Sequence, residues 1–362
     1  MREMFYDPTK SYDVNYAEGP WGEIRDVRKK DDSRTYGDLF GEALTSPLGI
    51  GAGILPTSRH IRAAVEAGFD PVTYKTVRRR ERASNPFPNM VRLYPEGADI
   101  YPDDTVLGDP DMSDIDVTKD GVTNSFGVPS MDASAWQPDL ARAVAGTKGK
   151  ATLIASFMGT MREGMTREEY VADFVETAKL VLQTGVPIME VNLSCPNISG
   201  VHGLVCHDIE TSTAILEALH TAKGNTPLLV KIAYFPPEAP LEALLDAIHS
   251  YANGVVAINA IHAKVVDRAG KQLLPGDASR LYSGTCGTTV RWAGLEMARR
   301  IVSYKKKKGW KDFVVVGVGG VTAPEDYHLY NVLGVDVVES VTGANWRPEL
   351  AGEIRNDLSE KT

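Results

Sequence analysis

Along most of this chain, short apolar runs rich in valine and isoleucine alternate with longer stretches in which apolar residues recur every three to four positions. "SPLGIGAG" (46–53) reads as a first strand, "PVTYKTV" (71–77) as a second, "ATLIASF" (151–157) as a third and "PIMEVNLS" (187–194) as a fourth. "PLLVKIA" (227–233), "GVVAINA" (254–260), "DFVVVGVGG" (312–320) and "GVDVVES" (334–340) complete a set of eight. Helices are predicted over 57–68, with Thr57 or Ser58 as N-cap and Gly68 as stop, and over 166–183, 208–222, 237–252, 288–305 and 348–358; another starts at "TAPED" (322–326).

Strands that are apolar nearly throughout belong in a parallel sheet buried on both faces. Eight such units, each strand followed by a helix, predict an α/β fold of the closed (β/α)₈ TIM-barrel type. The alternative is an open doubly wound sheet. That fold would want a GxGxxG turn after its first strand, which is missing here, whereas glycine-rich turns follow the last two strands, where barrels commonly hold phosphate. Two segments exceed an ordinary connection: 78–150 after the second strand and 261–287 after the sixth. Both leave carboxyl ends of strands, so they are expected to be long loops that cover or shape a site. The expected organisation is one barrel domain over 46–362, with residues 1–45 as an extension packed on it.

The strand ends carry the candidate chemistry. Lys75 in "VTYKTV" and Lys231 in "LLVKIA" sit in apolar strands, where an ammonium is costly without an anionic partner. The bland alternative for each is a lysine that snorkels to solvent. "VVVGVGGV" (314–321) and "VTGAN" (341–345) end strands in glycine turns whose backbone N–H groups can cradle a phosphate. "IMEVNLSCPN" (188–197) ends in Asn192, Ser194, Cys195 and Asn197, small, polar or reactive residues that a structural strand does not need. A thiol with a tuned pKa can act as a general base, and asparagines suit a ring bearing amide N–H and C=O groups. Asn124 and Gly127 in "VTNSFGVPS" (122–130) add to that set. His202, His207 and His262 fit no metal-ligand spacing and read as surface or loop residues.

Composition narrows the classes. With 43% hydrophobic and 24% charged residues the chain is ordinary globular material, and its net charge of −9 is unlike a nucleic-acid binder. "RRRER" (78–82) and "KKKK" (305–308) read as solvated surface runs, the second complementing a helix C-terminus. The sequence shows no apolar run of membrane-spanning length and no secretory h-region, which points to a cytoplasmic protein. Its three cysteines suit a reducing compartment, and without a CxxC pair they offer no thiolate cage for a metal.

"VNLSCPN", "TYKT" followed by "ERASNPFPNMVRL", "NSFGVP", "VKIA", "AINA" and "GVGGV" closely resemble, in order, the marks of the dihydroorotate dehydrogenases. The likeness runs from about Ser46 to Arg355, and the cysteine at 195 resembles the soluble, class 1 branch, since the membrane-bound branch has serine there. The resemblance implies FMN-dependent oxidation of dihydroorotate to orotate, a step of pyrimidine biosynthesis. It implies FMN on Gly51, Ala52, Gly53, Lys75, Thr76, Asn192, Lys231 and Gly287, with the phosphate on Gly319, Gly320, Thr342 and Gly343. Asn124, Asn192, Asn197 and Asn259 would hold the substrate ring and carboxylate, with the backbone of Gly127 and Val128. Lys75 would lie between flavin and carboxylate and Lys231 by the flavin ring. Cys195 would take the C5 proton while the C6 hydride passes to flavin N5.

Several positions depart from the family pattern. Val341 stands where the family often has glycine, and Cys286 where it sometimes has a second one. "ISGVHGLVCHD" (198–208) resembles in its latter half the dihydropyrimidine dehydrogenases, although those usually carry histidine at the place of Asn197. The resemblance does not extend to residues 1–45 or to about 97–121. Three further readings stay open: a flavin dehydrogenase of another dihydropyrimidine-like cyclic amide, a flavin-free phosphate-binding lyase or isomerase, and a flavin-binding module without catalysis. The implied electron acceptor is fumarate or a separate iron–sulfur flavoprotein subunit that relays to NAD. The loop over 263–287 resembles the partner-dependent branch. A homodimer or larger assembly is expected, with no membrane, nucleic-acid or metal partner.

Overall fold

The computed structural model describes residues 3–24, 34–94, 98–194 and 204–361. Eight strands, β1 (Leu48–Ile50), β2 (Val72–Val77), β3 (Leu153–Phe157), β4 (Ile188–Asn192), β5 (Leu228–Ile232), β6 (Gly254–Ala257), β7 (Val314–Val318) and β8 (Val337–Ser340), close in chain order into a barrel. Every neighbouring pair is parallel, and β8 returns to β1 with Glu339 opposite Gly49. This is the (β/α)₈ barrel, not the open sheet. The strands are shorter than predicted because their last residues leave the ladder and turn into the rim: the sixth, expected to reach 260, ends at Ala257.

The helices follow their local chemistry. Thr166 and Glu169 form a reciprocal capping box that starts Arg167–Leu182, and the Asp208 carboxylate accepts from Thr211 N ahead of Ile209–Ala222. Arg291–Lys308 ends at Gly309, whose left-handed φ of 70° sends its N–H back to the carbonyls of Lys305 and Lys306. The four lysines therefore lie in the last turn, as predicted. Helices Tyr12–Glu18, Ala133–Thr147 and Thr342–Trp346 are additional to the sequence expectation.

The two long insertions are not merely loops. Arg92–Tyr94, Thr105–Asp109 and Gly121–Asn124 from the first pair with Ile261–Val266 and Tyr282–Gly287 from the second to close a five-stranded sheet. It has its own small core, which includes Val91, Leu93, Val106, Ala263, Val265 and Leu274. Gly121–Asn124 pairs with Tyr282–Gly287, which places Asn124 opposite Gly284 at the mouth of the main barrel.

The barrel interior is plugged from below. Ile154, Ile188, Leu229, Val256, Val316 and Val337 pack together with Leu39 and Leu44, which flank the turn of a short hairpin in the N-terminal extension. Among the described residues no helix is long and apolar enough to cross a membrane.

Candidate active site

Two cavities of about 800 and 550 Å³ open on the carboxyl rim, and they share Ala52, Gly53, Asn124, Asn259, Cys286, Val341 and Thr342 in their walls. They therefore form one chamber, with three chemically distinct parts.

The first part is a glycine cradle after β7 and β8. Gly319 and Gly320 have φ of 135° and 72°, a region that side chains rarely adopt. A methyl on Gly343 would come 2.2 Å from the Val321 carbonyl oxygen, so the backbone turns meet there with no room for a side chain. The turns are tied together: Ser340 Oγ donates to the Val321 carbonyl at 2.6 Å, and Asp326 Oδ2 accepts from Thr322 N and Ala323 N at 2.9 and 3.0 Å.

The second part is polar. Lys75 and Lys231 are 9% and 3% exposed, so neither snorkels to solvent. Lys231 Nζ reaches the Ala52 carbonyl at 3.4 Å, and Lys75 Nζ lies 5.9 Å from the Tyr12 ring centre. Asn192 Nδ2 donates to Thr76 Oγ1 at 3.3 Å while its Oδ1 accepts from Ser194 N at 3.0 Å. Asn259 Nδ2 donates to the Ser194 carbonyl at 3.1 Å. These bonds fix the strand end that leads into residue 195.

The third part is apolar and was not legible in the sequence. Tyr6, Tyr12, Ile54, Met90, Phe126 and Trp346 line it. Tyr6 is held by two bonds with Asn345, Tyr6 N to Oδ1 at 2.7 Å and Nδ2 to the Tyr6 carbonyl at 2.9 Å, and its ring meets Phe126 edge-on at 5.3 Å. The N-terminal extension is thus a wall of the chamber as well as the plug of the barrel.

Of the residues singled out from the sequence, Ala52, Gly53, Lys75, Thr76, Asn124, Val128, Asn192, Lys231, Asn259, Gly287, Gly319, Gly320, Thr342 and Gly343 line the chamber. Gly51 does not: a methyl there would meet Glu339 Oε2 at 2.8 Å, beneath the floor. Gly127 also lies off the wall, with φ of 76° and its carbonyl accepting from Arg82 Nε at 3.0 Å. Cys195, Asn197 and His202 lie outside the described residues. His207 and His262 do not line the chamber; His207 is exposed and His262 half-buried.

The solvated reading of "RRRER" fails for Arg78. It is 1% exposed and donates to the carbonyls of Val128 and Gly159 at 2.9 and 3.0 Å, pinning the loop that carries Val128 to the barrel. The sequence reading also passed over Glu190 and Glu339, both fully buried. Burial raises both carboxyls above their usual range, and Lys231 opposes the rise. The signal was available, since an acid in a buried strand raises the same question as the two lysines.

Fold and site together define a barrel enzyme whose chemistry sits on the carboxyl rim, with a phosphate-type glycine cradle beside two buried lysines. The family model for dihydroorotate dehydrogenase matches residues 107–361. A dihydroorotate dehydrogenase of Dictyostelium discoideum is 32% identical over 374 residues, covering 99% of this chain and 98% of that one. A dihydroorotate dehydrogenase (quinone) of Clavibacter sepedonicus is 25% identical over 86% of this chain and 81% of its own, and one of Halobacterium salinarum is 28% identical over 90% and 82%. The chain belongs to the dihydroorotate dehydrogenase family, oxidoreductases acting on CH–CH donors. The Dictyostelium match also spans the N-terminal extension and the 97–121 segment, for which the sequence had suggested no relative.

Proposed function

We propose that this chain binds FMN in the rim chamber and oxidises dihydroorotate to orotate in the manner of the class 1, cysteine-dependent branch. The observation that carries the reading is the chamber itself, in a member of this family: a glycine cradle at one end, amide and ammonium groups in the middle, aromatic walls beyond. A flavin mononucleotide has the same three parts. Its phosphate suits the backbone of Gly319, Gly320 and Gly343 with Thr342, where any Cβ at Gly343 would collide with backbone. Its ring, polar along one edge and apolar along the other, suits a pocket lined both by Lys75, Asn192 and Lys231 and by Tyr6, Tyr12 and Trp346.

When bound, FMN supplies a hydride acceptor. The chain's own residues do the rest. Asn124, Asn192, Asn197 and Asn259 present donors and acceptors to the substrate's ring amides, and Lys75 pairs with its carboxylate. Cys195, as thiolate, takes the C5 proton, so that the electron pair of that C–H bond becomes the C5=C6 double bond as the C6 hydride departs. Lys231, buried in the chamber wall, offsets the negative charge left on the cofactor side. Electrons then leave to fumarate or to a separate electron-transfer subunit.

The purified protein should be yellow, and dihydroorotate should bleach it in the absence of oxygen. Bleaching by dihydrouracil in place of dihydroorotate would reassign the substrate. A colourless protein that takes up no FMN would refute the reading.

A further inference from the structure

The barrel interior changes character halfway up. Side chains alternate along a strand, so residues two apart stack on the same face. From Ile188 in the apolar plug, β4 next turns Glu190 inward and then Asn192, which lines the chamber. From Val337, β8 next turns Glu339 inward, and Val341 beyond it lines the chamber. Two carboxyl groups thus lie between the plug and the chamber floor, each with no exposure.

They are poorly satisfied there. Among the described residues Oε2 of Glu339 has no hydrogen-bond partner and Glu190 has only the Ser156 hydroxyl beside it; Glu339 Oε1 accepts from Thr73 Oγ1 at 3.4 Å. The groups that face them are Thr73 on β2, Ser156 on β3, Lys231 on β5 and each other. Lys231 is the cation that both carboxyls feel, and it also lines the chamber above. Two carboxylates cannot both stay ionised in a dry interior against a single ammonium. Two acids, one lysine and one retained proton make the layer neutral.

We propose that Glu190 and Glu339 are positioning residues that share a proton beneath Lys231 and bind an additional one from solvent when the cofactor above gains negative charge. The inference rests on the FMN reading. Two electrons and one proton reach the flavin as hydride from substrate C6. The resulting negative charge draws on Lys231, which then compensates the carboxyl pair less, and the pair binds a proton more tightly. On reoxidation that proton returns to water. The pair so eases reduction without touching substrate or cofactor.

The test is the midpoint potential of the bound flavin, measured spectroelectrochemically against pH for the wild-type holoprotein, Glu190→Gln and Glu339→Gln. The wild type should show a neutral-to-alkaline window in which two protons accompany two electrons, so that the potential falls twice as steeply as in a one-proton regime. Both glutamine variants should lose that window and keep the one-proton slope. If one variant fails to hold FMN, the other and the wild-type curve carry the test. A wild-type slope of one proton throughout would overturn the inference, as would a two-proton window that persists in both variants. A protein that binds no FMN would overturn the functional reading and the inference together, whereas a yellow protein with the wrong slope overturns the inference alone.

Discussion

The molecule contains two closed sheets that differ in how they are written. The eight barrel strands are buried over almost their whole length, with every residue of β2, β3, β4 and β5 out of solvent. The insertion strands are less evenly covered; Thr105–Asp109 buries only Val106, and Ile261–Val266 alternates buried and intermediate over its first four residues. The first sheet, apart from its closure of β8 on β1, pairs each strand with the one before and the one after it in the chain. The second joins residues near 92–124 to residues near 261–287. Burial on both faces leaves a continuous apolar run in a sequence, whereas pairing across such a separation leaves no local mark. The two sheets also divide the chamber. The barrel supplies the floor and the glycine cradle, and the insertions supply the side that carries Val122, Asn124 and Cys286.

If the barrel rim holds the chemistry, Cys195→Ala should leave FMN bound and slow flavin reduction by dihydroorotate about 10²-fold or more in stopped flow, with Cys195→Ser between. An unchanged rate would remove the thiol from the mechanism. If the insertion sheet has a core of its own, Leu93→Ala should cost about 2–5 kcal/mol in a denaturant titration, with substrate KM rising more than FMN affinity falls. Equal loss of both ligands would mean that the two sheets act as one unit. Lys75→Ala should raise the KM for dihydroorotate about 10–100-fold through loss of a charge-assisted contact, with the flavin spectrum retained. The smallest effect belongs to the outer shell. Gly352 lies in helix Leu350–Glu360 with open space around the position of a Cβ, so Gly352→Ala should stabilise by about 0.5–1 kcal/mol and leave turnover unchanged.

The strand ends were the legible part of the candidate site. Lys75, Asn192, Lys231 and Asn259 stand out because polar residues are rare in buried strands, and Gly319, Gly320 and Gly343 because such turns follow late barrel strands. Glu190 and Glu339 obey the same rule, since each is an acid with no exposure in a buried strand. Tyr6 and Tyr12 were illegible for another reason: aromatic residues far from the rim in sequence reach the chamber only through tertiary packing, here through the bonds between Tyr6 and Asn345. Arg78 illustrates the reverse error, since a run of five mostly basic residues hides a first member that is fully buried.

The central claim is that one chamber seats the cofactor in the glycine cradle and presents the substrate to Cys195. A crystal structure of the protein with FMN and orotate measures this most directly. The account predicts the phosphate on the backbone of Gly320 and Gly343, the ring over Lys231, and Cys195 Sγ in van der Waals contact with orotate C5. Orotate bound on the ring face away from Cys195, or a phosphate seated outside the cradle, would contradict it.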